Sequence, residues 1–160
     1  MSLTKKGEEY AELDRIISRF RDLSKDDQIL RKKDLAIPVG IFANNPLSTL
    51  EAVVKYLKEI LKLRFSNIGK LINRSNKTIW ATYHNAIKKM PSSFGDVSSE
   101  VLIPVSIFAD RQYSTLENLV RFVKKHDYTN HEVALMLNLD DRTVWTVYDR
   151  VKRKRGVKAW

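Results

Sequence analysis

An all-α fold is predicted: an N-terminal amphipathic helix followed by two tandem three-helix units. Three observations carry this. First, residues 37–58, IPVGIFANNPLSTLEAVVKYLK, recur as residues 103–124, IPVSIFADRQYSTLENLVRFVK, with 12 of 22 positions identical at an offset of 66. Second, apolar residues along most of the chain are spaced by three or four, the period of a helix with one buried face. Third, the same capping signature, S-T-L-E, opens the corresponding segment in both copies.

After residue 58 the second copy loses one residue, and the offset becomes 65. Ile68 then aligns with Val133, Asn73 with Asn138, Thr78 with Thr143, Ile79 with Val144, Trp80 with Trp145 and Tyr83 with Tyr148. A tandem duplication is the economical explanation. It divides the chain into a helical extension (1–34), a first unit (35–90), a linker (91–99) and a second unit with a basic C-terminal tail (100–160). The linker, PSSFGDVSS, is the one stretch rich in Pro, Gly and Ser.

In the extension, Tyr10, Leu13, Ile17, Phe20 and Leu23 form an apolar stripe. Ser24 with Asp27 resembles a capping box opening a short second helix that contains Ile29 and Leu30. Two heptads are short for a coiled coil, so docking on its own chain is the preferred role of the stripe. Pairing with a second copy is the alternative. The IPV(G/S)IF segment before each unit has proline after Ile37 and Ile103, which favours extended geometry there. The proline itself can also occupy the first turn of a short helix. Its apolar content marks it as buried, a core staple or an inter-unit clasp.

Within each unit, Ser48 with Glu51, or Ser114 with Glu117, opens a first helix that runs to about Leu61 or Lys125. A second helix covers about 66–72 or 131–137. Asn73 or Asn138 tolerates the left-handed turn that follows. Ser75 or Asp140 caps the third helix. In unit one, Ile79, Tyr83, Ala86 and Met90 share one face of that helix, while Lys77, Ala81, His84 and Lys88 lie opposite with no acidic residue. This arrangement fits the second helix of a helix-turn-helix.

Residues 67–90, NIGKLINRSNKTIWATYHNAIKKM, resemble the helix-turn-helix of sigma factor region 4 and of LuxR-type regulators. Asn67, Ile68 and Gly69 stand at that pattern's E-I-A, Ile72 and Asn73 at its L-G, and Thr78 and Ile79 at its T-V. The second copy reads Glu132, Val133, Ala134, Leu137, Asn138, Thr143 and Val144 at the same places. The resemblance implies sequence-specific binding of double-stranded DNA, with the third helix in the major groove and the second across the backbone. Trp80 and Trp145 depart from the pattern, in which that position is polar or basic. Because both copies keep the indole, packing is its expected role, with base contact the alternative.

The chain has 29 Lys and Arg against 19 Asp and Glu, a net charge of +10, which favours a polyanionic partner. The extension carries net +1, residues 35–94 net +7 and residues 95–160 net +2. Unit one is therefore expected to read DNA, through Arg74, Ser75, Asn76, Lys77, Thr78, Trp80, Ala81, His84, Lys88 and Lys89. Asn can pair bidentately with adenine, whereas Lys mainly neutralises phosphate. In unit two, Asp140, Asp141 and Asp149 accompany Arg142, Thr143, Trp145, Arg150, Lys152, Arg153, Lys154 and Arg155. That helix is expected to hold phosphate or mediate assembly.

No enzyme is expected, and no cofactor or metal. Cysteine is absent, and His84, His126 and His131 lack HExxH spacing. The longest apolar run, residues 35–43, is too short for a membrane span, and no signal-peptide core precedes it. A cytoplasmic, nucleoid-associated transcription regulator is the leading expectation. A protein-interaction adaptor, for RNA polymerase or another protein, and a sequence-indifferent architectural DNA-coating protein are the alternatives. A homodimer or higher assembly through the N-terminal helix or the paired units is an expected further partner state. The two units can be related by a two-fold axis or by translation.

Overall fold

The computed structural model describes residues 7–19, 35–43, 46–97 and 99–157, and these are predominantly helical, in keeping with the all-α expectation. Residues 7–19 belong to one compact unit and residues 35–157 to another. The first is a helix (α1) on which Tyr10, Leu13, Ile16 and Ile17 are exposed. The expected roles of Phe20, Leu23, Ser24, Asp27, Ile29 and Leu30 lie outside the described residues.

The second unit holds both repeats. Repeat one runs through β1 (Ala36–Pro38), a 3-10 turn (Val39–Ala43), α2 (Thr49–Glu59), α3 (Phe65–Ile72) and α4 (Asn76–Lys89). Repeat two runs through β2 (Leu102–Pro104), a 3-10 turn (Val105–Ala109), α5 (Thr115–Lys124), α6 (Asn130–Leu137) and α7 (Asp141–Val157).

Local chemistry sets the helix ends. Ser48 accepts from the Glu51 amide while Glu51 accepts from the Ser48 amide, and Ser114 with Glu117 repeats this, so each box satisfies two otherwise unpaired donors. A third box, Thr129 with Glu132, opens α6. Its T-x-x-E signature, Thr129 to Glu132, is the local signal for this helix start. Asn73 and Asn138 both adopt the left-handed conformation, at φ 55° and 52°, which ends α3 and α6 within one residue. Lys62 and Asp127, equivalent at the offset of 65, also have positive φ. The residue lost from repeat two comes out of the end of the first helix, since α2 has 11 residues and α5 has 10.

The IPV segments pair with each other. β1 and β2 are antiparallel, with Ala36 opposite Pro104, Ile37 opposite Ile103 and Pro38 opposite Leu102. Exchanging the two repeats maps this register onto itself about Ile37 and Ile103, which is the behaviour of an isologous two-fold contact. The flanking hydrogen bonds are reciprocal too: Val39 N–H donates to Val101 O at 3.0 Å, and Val105 N–H to Leu35 O at 2.8 Å. The equivalent rings of Phe42 and Phe108 meet at 6.1 Å, and α2 touches α5.

Each 3-10 turn then packs on the second helix of the other repeat: Val39–Ala43 on α6, and Val105–Ala109 on α3. Ile37 and Ile103 are fully buried, and each contributes roughly 1.5–3 kcal/mol by leaving water. The clasp thus exchanges apolar surface between repeats and fuses two small three-helix cores into one. Reciprocal antiparallel pairing of this kind is what a local two-fold at the clasp produces and a simple translation does not.

Candidate nucleic-acid interface

Helix α4 is held by a buried stripe and a cap. Ile79 and Ala86 are fully buried, and Tyr83 and Met90 are half-buried. Ser75 accepts from the Thr78 amide at 3.2 Å and bonds the Thr78 hydroxyl at 2.9 Å. Tyr83 donates to Glu59 at 3.2 Å, tying α4 to the end of α2. Burial, then the charge of Glu59 and the bond to it, raise the Tyr83 phenol above its ordinary pKa.

The opposite face of α4 exposes Asn76, Lys77, Trp80, Ala81, Asn85 and Lys88, with His84 half-buried beside them. No acidic residue occurs between Asn76 and Lys89. Trp80 is 54% and Trp145 58% exposed, which corrects the expectation that these indoles pack. Each sits at the fifth residue of its helix, and the buried stripe of Ile79 or Val144 turns it outward. The His84 ring stacks on Trp80 at 3.9 Å, and His84 Nδ1–H donates to the Trp80 carbonyl at 2.8 Å.

Several sequence-predicted residues are engaged elsewhere. Arg74 sits in the seam between repeats, donating from Nη2 to Thr115 at 3.4 Å, while its buried Nε meets no partner. Burial, then the neighbouring charge of Arg111, lower its pKa. Arg111 in turn donates to the Asn73 carbonyl at 3.0 Å. Lys89 donates to both oxygens of Glu51 at 2.9 and 3.0 Å, and Lys154 bonds Glu117. These two pairs are equivalent in the duplication, so the capping glutamate of each first helix also anchors the end of each third helix.

Helix α7 carries a different surface. Arg142, Trp145, Arg150, Lys152, Arg153, Lys154 and Arg155 are exposed, while Thr143 is half-buried with its amide donating to Asp140 at 2.6 Å. Those bonds from Thr143 hold the Asp140 carboxyl below its usual range. Arg153 pairs with Asp149 at 2.8 Å, and the Lys152 ammonium lies 4.8 Å from the centre of the Tyr148 ring. Asp141 pairs with His131 at 3.1 Å.

At the offset of 65, Asn76 corresponds to Asp141, Lys77 to Arg142, Ala81 to Thr146, His84 to Asp149, Asn85 to Arg150 and Lys88 to Arg153. Each of these surface positions differs, although Lys77 with Arg142 and Lys88 with Arg153 both stay basic, whereas Trp80 with Trp145, Thr78 with Thr143 and Lys89 with Lys154 are unchanged. Among the described residues no helix is long and apolar enough to cross a membrane. In comparisons with protein-family models, curated proteins and solved structures, none matches this chain.

Proposed function

We propose that this chain is a sequence-specific double-stranded DNA-binding protein, a transcription regulator, in which two helix-turn-helix units act as a covalent pseudo-dimer. The observation that carries the reading is the exposed, acid-free face of α4, where Asn76, Lys77, Trp80, Ala81 and His84 occupy the first, second, fifth, sixth and ninth helical positions. Those are the N-terminal positions from which a recognition helix reaches base edges in the major groove. Asn76 supplies a bidentate partner for adenine, and Lys77 and Lys88 supply phosphate charge. With its acidic residues, α7 contributes more to positioning than to reading.

The reciprocal clasp supports a pseudo-palindromic operator. Proteins whose helix-turn-helix units are related by a two-fold axis place their recognition helices one duplex turn apart, about 34–36 Å.

Titrating the intact chain with random duplex across a range of salt tests the reading. Binding is expected to weaken with a log–log slope of about −0.9 for each phosphate neutralised. Affinity that stays negligible at low salt would falsify it. Replacing Asn76 and Lys77 together with Ala is expected to relax sequence preference by roughly 1–3 kcal/mol, the scale of one bidentate base contact. Arg142→Ala should weaken binding to all sequences alike. A change of preference from Arg142→Ala alone would make repeat two the reader.

The exposure of both tryptophans specifically favours a second reading, an adaptor that docks on protein. Complexes that survive nuclease treatment would support the adaptor, and complexes that dissolve would support DNA binding.

A further inference from the structure

Polar side chains make up most of the exposed α4 face, and the indole of Trp80 stands among them as its large apolar group. A large aromatic side chain left more than half exposed retains apolar area that a partner can cover. Both repeats keep it exposed at the same helical position, while Asn76, Ala81, His84 and Asn85 of α4 become Asp141, Thr146, Asp149 and Arg150 in α7. The partner of the indole is therefore common to the two halves of the target, as is the phosphate charge met at the positions that stay basic, whereas the partners of the exchanged polar side chains differ. On the major-groove edge of DNA the apolar group on offer is the C5-methyl of thymine.

We propose that Trp80 and Trp145 each pack against a thymine methyl, so that the target carries thymine at two positions related by the pseudo-two-fold axis, between flanks that differ. The inference rests on the DNA-binding reading above. Charge near each indole suits it, with exposed Lys77 and Arg142 three residues before Trp80 and Trp145, on the adjoining turn of the helix. The two contacts are not equal. His84 stacks on Trp80 at 3.9 Å and bonds its carbonyl, which holds the indole in one orientation before DNA arrives. In repeat two the equivalent residue is Asp149, which is paired with Arg153. Trp80 is thus the stronger contact.

The test begins with duplexes selected by the intact chain from a random library. Each thymine of the selected duplex is then replaced singly by deoxyuridine, which removes the methyl and leaves the base pair intact. Two sensitive positions are expected, symmetric about the centre, with affinity falling about fourfold at the stronger one, the scale of one buried methyl. Trp80→Ala should abolish the penalty at one position and Trp145→Ala at the other, a double-mutant cycle between protein and DNA. Deoxyuridine without effect anywhere overturns the proposal, as do penalties that persist unchanged in both variants. Salt-dependent duplex binding in those cases leaves the DNA reading standing. Failure to bind any duplex at low salt removes both.

Discussion

In repeat one the last residue of α2 is Glu59, which holds the fully buried ammonium of Lys55 at 2.7 Å and accepts from Tyr83. Repeat two has lost a residue at this point, and α5 ends in Lys124 with no carboxylate there. Its counterpart of Lys55 is Arg121, which reaches Asp110 at 3.5 Å and lies 4.5 Å from the centre of the Tyr113 ring. Yet the capping boxes, the left-handed asparagines and the Lys–Glu anchor of the third helix are the same in both repeats. Charge has been redistributed over a constant scaffold. The backbone plan therefore depends on caps and apolar contacts, and the charged surfaces are what distinguish the repeats.

The most severe test of the shared scaffold is the clasp. Ile37→Ala and Ile103→Ala should each lower unfolding free energy by about 2–5 kcal/mol, and by similar amounts, since both side chains are fully buried across one local two-fold. Urea unfolding that shows a large cost for one and none for the other would break the symmetry.

The ion pairs should separate the repeats. Glu59→Gln leaves the Lys55 ammonium buried without its counter-ion and should cost about 3 kcal/mol. Asp110→Asn, at a partly exposed pair, should cost less than about 1 kcal/mol. Equal costs in the same unfolding assay would contradict the distinction drawn here.

A smaller difference lies at the turn between the second and third helices. A Cβ on Gly69 would meet the Arg74 carbonyl oxygen at 2.6 Å, whereas the equivalent Ala134 is accommodated. Gly69→Ala should therefore destabilise by roughly 1–3 kcal/mol, against the usual gain for Gly→Ala in a helix. Ala134→Gly should cost about 1 kcal/mol from helix propensity. Thermal melts of the two variants would settle the sign at Gly69.

The mildest effect concerns acid. Burial pushes the Glu117 carboxyl up, but bonds from Lys154 and the Ser114 amide and the charges of Lys154 and Arg150 outweigh it, leaving a net lowering. A carboxylate with a depressed folded-state pKa stabilises fully above its unfolded value of about 4.3, and loses that contribution as pH falls through the folded value. Melting temperature should fall on acidification below about pH 4.3, and Glu117→Gln should flatten that fall. An unchanged profile in the variant would assign the acid sensitivity elsewhere.

Much of this was legible in the chain itself. Caps, left-handed turns and the buried stripe of α4 depend on partners three or four residues away, so residue type and spacing determine them. The duplication and the acid-free face of α4 were likewise visible. Tertiary structure alone decided three matters. It paired each IPV segment with its counterpart 66 residues away, because two equally apolar segments could satisfy either their own core or the other's. It left Trp80 and Trp145 outside the core, since a position next to a buried stripe does not say whether a second surface covers it. It also turned Arg74, Lys89 and Lys154 toward the protein, because a long cationic side chain goes to whichever acceptor the packed neighbours bring near, and those neighbours are distant in sequence.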